Sequence, residues 1–239
     1  MLVDSFDRQV SYLRVSLTDR CNLRCVYCMP AEGLEWIPTD EILQDDEILY
    51  LLREVYLPLG VTKIRLTGGE PMLRRGLVEL IRRISAMPGI TDLSMTTNGM
   101  FLAQHADALA DAGLHRVNVS LDSLRPERFA AITRGGDLPR VLRGIDAALT
   151  AGFASVKLNV VVVAGSNDDE VVDLAALTLD RPLHARFIEM MHVGDQSFFE
   201  ERQFVTIQAM VIASLTGKPL HHEWGAGMEI TRTMSRIGG

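Results

Sequence analysis

The chain has 239 residues, of which 47% are hydrophobic and 23% charged; this is the make-up of a globular protein, not a disordered one, and it suits one large domain or two small ones. A net charge of −7 and a pI near 5.4 argue against a general binder of nucleic acid or membrane surfaces, while leaving room for a local basic pocket. No apolar run approaches the roughly 20 residues a bilayer requires, and Asp4, Asp7 and Arg8 leave no apolar core for a signal peptide, so a cytoplasmic protein is expected.

From residue 10 onward, short β-rich runs alternate with longer amphipathic segments. A strand over residues 10–17 leads into the loop that carries every cysteine. Helix-compatible segments at 45–56, 77–87, 102–112, 138–151 and 169–179 then alternate with strands at 63–67, 92–97, 116–121, 155–163 and 185–189. Two of the helices stop at Gly113 and Gly152, a residue that tolerates the left-handed cap. Six strands joined by helical crossovers imply a parallel sheet with right-handed connections. Both a doubly wound open sheet and an arc of a β/α barrel satisfy that pattern. In either, Thr67, Thr96–Asn98 and Ser120–Asp122 fall at the C-terminal ends of strands, the functional face. After about Met191 the alternation fails. Residues 194–239 hold a helical stretch at 207–215 and a polar, glycine-bearing segment at 221–227, too little for a second independent core. The expected division is therefore 1–193 and a short remnant, 194–239, ending in Gly-Gly.

Cys21, Cys25 and Cys28 are the three cysteines of the chain, and they fall within eight residues. An odd, tightly spaced set cannot be a disulfide framework, and it fits a reducing compartment. Thiolates at this spacing in a loop can converge on one cubane iron–sulfur cluster. Three cysteines for four corners leave one iron without a protein ligand. Structural zinc normally takes four protein ligands, and no histidine lies near the loop. A thioredoxin-like reading of Cys25 and Cys28 gives Cys21 no role. The barrel-like context favours the cluster.

Arg14, Arg65 and Lys157 sit inside strand candidates, where a charge is not expected without a partner. Tyr12, Arg14 and Ser16 share one face of the first strand; Leu13, Val15 and Leu17 share the other. The three cations read as an inward polyanion site, the guanidinium forks matching phosphate oxygens and the lysine adding a point charge. Arg186 is a further candidate, whereas Arg74, Arg75, Arg82 and Arg83 read as surface charges on a helix. His105, His115, His184, His192, His221 and His222 show no ligand spacing and read as structural or surface residues.

Residues 19–30, with Tyr27 just before the third cysteine, resemble the signature of the radical S-adenosylmethionine (SAM) superfamily. In detail they are similar to the GTP 3′,8-cyclases, which open molybdenum cofactor biosynthesis. The likeness runs from Phe6 to about Met191, some four-fifths of the chain, and includes the Gly68–Gly69–Glu70–Pro71 turn. It implies an incomplete (β/α)6 TIM-like barrel, one [4Fe-4S] cluster on Cys21, Cys25 and Cys28, and SAM bound by Tyr27, Gly69, Ser120 and Met191. It assigns GTP to Arg14, Arg65, Thr96 and Lys157. The implied reaction uses the electron of the cluster to cleave SAM. The resulting 5′-deoxyadenosyl radical takes the ribose 3′ hydrogen, and guanine C8 is then attacked to give (8S)-3′,8-cyclo-7,8-dihydroguanosine 5′-triphosphate. The implied partners are GTP, SAM, an electron donor such as flavodoxin or ferredoxin, and a second copy in a homodimer, with no nucleic acid or membrane.

The family pattern also includes a second three-cysteine cluster in a C-terminal extension, whose open iron binds guanine. This chain has no cysteine after Cys28, yet residues 218–222 and 234–239 resemble the C-terminal end of that family. An internal deletion is therefore expected, joined between about Glu200 and Ser214, and with it SAM cleavage but weak GTP binding and little cyclisation. Two other readings stand beside this one: another radical SAM enzyme, such as a peptide-modifying one, and an inactive interaction protein derived from the cyclase.

Overall fold

A computed structural model describes residues 2–190 and 204–216. Its elements run β1 (Tyr12–Ser16), α1 (Asp45–Leu51, continued by a π-helical turn, Leu52–Tyr56), β2 (Lys63–Thr67), α2 (Leu77–Ser85), β3 (Asp92–Thr97), α3 (Leu102–Asp111) and β4 (Arg116–Ser120). They continue with α4 (Pro126–Thr133), α5 (Leu138–Thr150), β5 (Ser155–Val162), α6 (Val171–Asp180), β6 (Leu183–Glu189) and α7 (Ile207–Thr216). Two of the expected strands match in full, three differ by one or two residues at one end, and the first, expected over 10–17, is shorter at both ends. Helix α4 is new. It lies in a stretch to which the sequence pattern assigns no element, and it starts with Pro126 at its first position, where the missing N–H costs nothing.

The helices form for local reasons. Three acidic residues, Asp45, Asp46 and Glu47, open α1, where they complement the helix dipole. The Glu47 carboxylate accepts from the Gln44 N–H at 2.7 Å, closing half of a capping box. In α2 the buried residues are Leu77, Leu80, Ile81 and Ile84, the spacing of one helical face.

All six strands are parallel, and their order in the sheet is their order in the chain, β1 to β6. That order decides between the two topologies left open by periodicity. A doubly wound sheet reverses direction partway. Steady stepping with right-handed crossovers instead puts every helix on one face, which is barrel winding. The helix-side residues are accordingly apolar and fully buried, among them Ile64, Leu66, Leu93, Met95, Val117, Val119, Leu158 and Val160. Among the described residues no ladder joins β6 to β1, so the barrel is incomplete, as expected.

Beyond β6, Phe204 bridges Val163 and the Ile207 N–H donates to Glu189 at 2.5 Å. Val205, Ala209 and Met210 join the apolar cluster of the barrel. The boundary expected at 193/194 and the residues 218–239 lie outside the described residues. Among the described residues no helix is long and apolar enough to cross a membrane.

Leu158, at the centre of β5, is fully buried against the helix layer. Leu158→Ala is expected to lower the unfolding free energy by about 2–5 kcal/mol, as cavity-forming core truncations do. Denaturant unfolding followed by circular dichroism measures this.

Candidate active site

The site begins with the residues on the other face of the sheet. Parallel register carries them into rows across the inside of the barrel. One row reads Arg14, Arg65, Ser94, Arg116, Ser155; the next Thr96, Asn118, Lys157, His184; a third Ser120, Asn159, Arg186. The period-2 reading of β1 therefore extends across the sheet, apolar towards the helices and mainly polar inward, with Val161 and Ile188 the apolar pair that follows the third row. Arg14, Arg65 and Lys157 reach the same wall, and so does Arg186. His184, read from sequence as structural, also stands in the second row beside Lys157.

This wall is electrostatically unbalanced. Arg116 pairs with Asp92, and Arg65 leans over the Tyr12 ring at 5.3 Å with Nε 3.5 Å from Ser94 Oγ. Among the described residues no ion pair engages Arg14, Arg65, Lys157 or Arg186. Burial, and then the charges of Arg186, Arg116 and Arg65, pull the pKa of Lys157 below its ordinary value. Burial and Arg65 do the same to Arg186, and burial with Lys157 and Arg186 to His184. Arg186 Nε, His184 Nδ1, Asn159 Oδ1 and Ser155 Oγ are buried without hydrogen-bond partners among the described residues. Buried polar atoms are rarely left so, and four of them on two adjacent strands, among mutually repelling cations, make a wall suited to an anionic, hydrogen-bonding ligand.

The cysteine loop lies at the C-terminal end of β1 and is held from three sides. On the first, Gly69 N–H donates to the Thr18 carbonyl at 2.7 Å and Glu70 N–H to the Arg20 carbonyl at 2.8 Å. A Cβ at Gly69 would overlap that Arg20 carbonyl, and one at Gly68, where φ is +122°, would overlap that of Thr18. Both glycines are thus required by the approach of the protein's own backbone. On the second side, the end of α4 presents carbonyls: Arg24 N–H donates to Thr133 at 3.1 Å and Val26 N–H to Ile132 at 2.9 Å. Arg134, left-handed at φ 51°, donates to the carbonyls of Arg24 at 3.2 Å and Met29 at 2.9 Å. On the third, the Tyr27 hydroxyl donates to Asp122 at 2.6 Å.

A buried carboxylate ties the first side to β3. Glu70, 1% exposed, accepts from Met72 N–H at 3.1 Å, Thr97 Oγ1 at 2.8 Å and Asn98 N–H at 2.7 Å. Asn98 then reaches the cysteine loop, donating to Asn22 Oδ1 at 2.8 Å and approaching Cys21 Sγ at 3.9 Å. Asn98 and Asp122 were expected on the functional face and Glu70 in the glycine turn, but none of them was given a role, and Arg134 was not singled out. Their contacts join residues far apart in the chain, for which a single sequence carries no signal.

The three thiols are free; Cys21 and Cys25 are half-buried and Cys28 exposed. Burial pushes the Cys25 thiol up to about 12, with Asp122, Cys28 and Cys21 adding to it. Burial, then Cys21, raises Cys28. The thiols are thus near enough to oppose one another's ionisation. Among the described residues no three Cys, His, Asp or Glu side chains are gathered as ligands of a single metal ion. Three soft donors spread around one loop suit the separate corners of an iron–sulfur cluster better than one ion, and a coordinated thiol is deprotonated outright. The residues present fit such a group. Gly69 and Ser120 lie near this end of the barrel, on the β2–α2 turn and at the end of β4; Met191 lies outside the described residues.

All three groups that Glu70 meets donate to it. Glu70→Gln presents an amide N–H to one of them and is expected to cost about 1–3 kcal/mol. A lowered thermal midpoint and faster loss of iron from the reconstituted protein would report it.

Residues 15–178 match the sequence profile of the radical SAM superfamily. The chain is 55% identical over 202 residues to a GTP 3′,8-cyclase of Pelotomaculum thermopropionicum, covering 84% of this chain and 62% of that protein. A GTP 3′,8-cyclase of Lactiplantibacillus plantarum is 50% identical over 207 residues, covering 87% and 62%. This chain thus spans under two-thirds of the length of these curated relatives. Among solved structures, Streptococcus suis SuiB bound to S-adenosylmethionine superposes with a TM-score of 0.64 at 16% identity, covering 80% of this chain and 43% of that one. Methylornithine synthase (PylB) gives 0.63 at 13%, covering 87% and 63%; at such identities the likeness is one of fold. With a matching profile over most of its length and three cysteines docked at the mouth of a six-stranded partial barrel, the chain belongs to the radical SAM superfamily.

Proposed function

We propose that this chain is the catalytic barrel of a GTP 3′,8-cyclase, acting on GTP and SAM in molybdenum cofactor biosynthesis. The observation that carries this reading is the inner wall. A barrel that needed only to bind SAM has no use for Arg14, Arg65, Lys157 and Arg186 in adjoining rows. A triphosphate supplies the charge they lack. The curated relatives' name favours this substrate over a peptide.

In this reading Cys21, Cys25 and Cys28 hold one [4Fe-4S] cluster, the number this chain's thiols can ligate. When bound, that cluster supplies the electron that cleaves SAM. Tyr27, Gly69, Ser120 and Met191 hold SAM. Gly69 acts by letting the cysteine loop sit against the β2–α2 turn, and Ser120 by its place beside Asn159 on the wall. Arg14, Arg65 and Lys157 hold the triphosphate and Thr96 the nucleoside, with Arg186 beside them. Residues 1–193 form the barrel and 194–239 a remnant of the module that, in the family, carries the second cluster. The free thiols suit a reducing cytoplasm, and a flavodoxin or ferredoxin would supply the electron.

Anaerobic reconstitution followed by iron, sulfide and product analysis tests this. The expected result is about four irons per chain, cleavage of SAM on reduction, and little cyclised product. Zinc in place of iron, or SAM left intact, would sink the reading. The wall is tested separately. Tripolyphosphate at about 100 times its Kd should stabilise the protein by about 2.7 kcal/mol. Lys157→Met should raise the thermal midpoint without anion, since a repelled charge is gone, and lose much of the gain with it.

A further inference from the structure

The contact between Tyr27 and Asp122 joins residues 95 positions apart, and it continues inward. Asp122 is 1% exposed. One carboxylate oxygen takes the Tyr27 hydroxyl; the other accepts the Val161 N–H at 2.8 Å. Behind it Asn167, fully buried, donates to the Asp122 carbonyl at 2.7 Å and the Val161 carbonyl at 2.9 Å, and accepts from Val163 N–H at 2.8 Å. The ends of β4 and β5 are thus fastened into one rigid corner that presents a single acceptor to the cysteine loop. Tyr27, between Cys25 and Cys28, is the side chain that takes it.

We propose that Asp122 is a positioning residue. By fixing the Tyr27 hydroxyl to the β4–β5 corner, it sets the pose of the loop segment between the second and third cysteines, and with it the SAM contact assigned to Tyr27. This rests on the SAM reading above. The loop is already fastened elsewhere, by Ile132, Thr133 and Arg134 on one side and by Gly69 and Glu70 on another. Loss of the clamp therefore frees the Tyr27 segment without detaching the loop, and binding suffers while the thiols remain in place.

The test compares Tyr27→Phe, Asp122→Ala, Asp122→Asn and the Tyr27→Phe/Asp122→Ala double variant with the unsubstituted reconstituted chain. In Tyr27→Phe and Asp122→Ala, the KM for SAM in reductive cleavage should rise about tenfold or more, the scale of a lost hydrogen bond to a charged group. Iron content and kcat at saturating SAM should change little. The double variant should be no worse than the weaker single, because both singles already remove the Tyr27–Asp122 bond. Asp122→Asn, which can donate to the tyrosine oxygen while accepting from Val161, should recover most of the affinity. Hydrogen exchange of amides 25–29 should quicken in Tyr27→Phe, Asp122→Ala and the double variant, and not in Asp122→Asn.

An unchanged KM with unchanged exchange in Tyr27→Phe overturns the inference and leaves the SAM reading standing. So does a fall in iron and kcat together without a change in KM, the mark of a merely structural role. If Asp122→Ala does not fold, Tyr27→Phe, which removes one oxygen, still decides. Failure of the SAM reading shows separately, as an unsubstituted chain whose reduced electron paramagnetic resonance spectrum ignores SAM, and it takes the inference with it.

Discussion

A loop that must present three thiols to one cofactor has no ladder of its own, so its buried amides and carbonyls need partners from elsewhere. Here those partners are the Gly69 and Glu70 amides, the Ile132 and Thr133 carbonyls, the Arg134 guanidinium and the Asp122 carboxylate. Much else follows from that docking. Gly68 and Gly69 are glycine because β1's exit runs directly over them. Glu70 is buried because its carboxylate gathers the donors of two neighbouring connections. The left-handed turn at Arg134 aims its side chain back at the loop. The thiols are therefore placed by the β2–α2 and β4–α4 connections and by the C-terminal end of α4, and a rigid scaffold is what positions a site on a loop.

The inner wall imposes the opposite kind of constraint. Each strand alternates, so the apolar residues that bind the sheet to its helices leave every second position free for function. The chain fills those positions with cations that depress one another's proton affinity and with polar atoms that lack partners. Both features cost stability in the free protein. That cost is tolerable because the helix side is a continuous apolar cluster, and an anion held by the wall would offset it. A site at odds with its own fold is what a binding surface looks like before it binds.

The period-2 pattern made the strands, the inward cations and the apolar helix side legible in sequence, since burial and alternation are local facts. The cysteine spacing was legible for the same reason. Lys157 and Arg65 were found because a charge inside a strand contradicts its surroundings; His184 was passed over because a lone histidine contradicts nothing. Helix α4 was missed because its short run lies between turn-forming residues. The fastening contacts were invisible for a deeper reason, although Asn98 and Asp122 were placed on the functional face. Asp122, Asn98 and Arg134 are ordinary polar residues at the ends of ordinary elements, and what distinguishes them is a partner about 80 to 110 positions away, which no window of sequence contains.

One consequence of the sheet order concerns how the molecule comes together. Each strand lies beside its immediate predecessor, so the sheet can grow one unit at a time as the chain leaves the ribosome, with modest separations to close. The cysteine loop is the exception. It leans on residues 122, 132, 133 and 134, far downstream of it, so its docking, begun against Gly69 and Glu70, is complete only when the fourth βα unit has been made. A rigid seat for iron and sulfide is thus finished late in assembly. A nascent chain stalled before α4 would carry its three thiols on a loop that lacks the Ile132, Thr133 and Arg134 contacts.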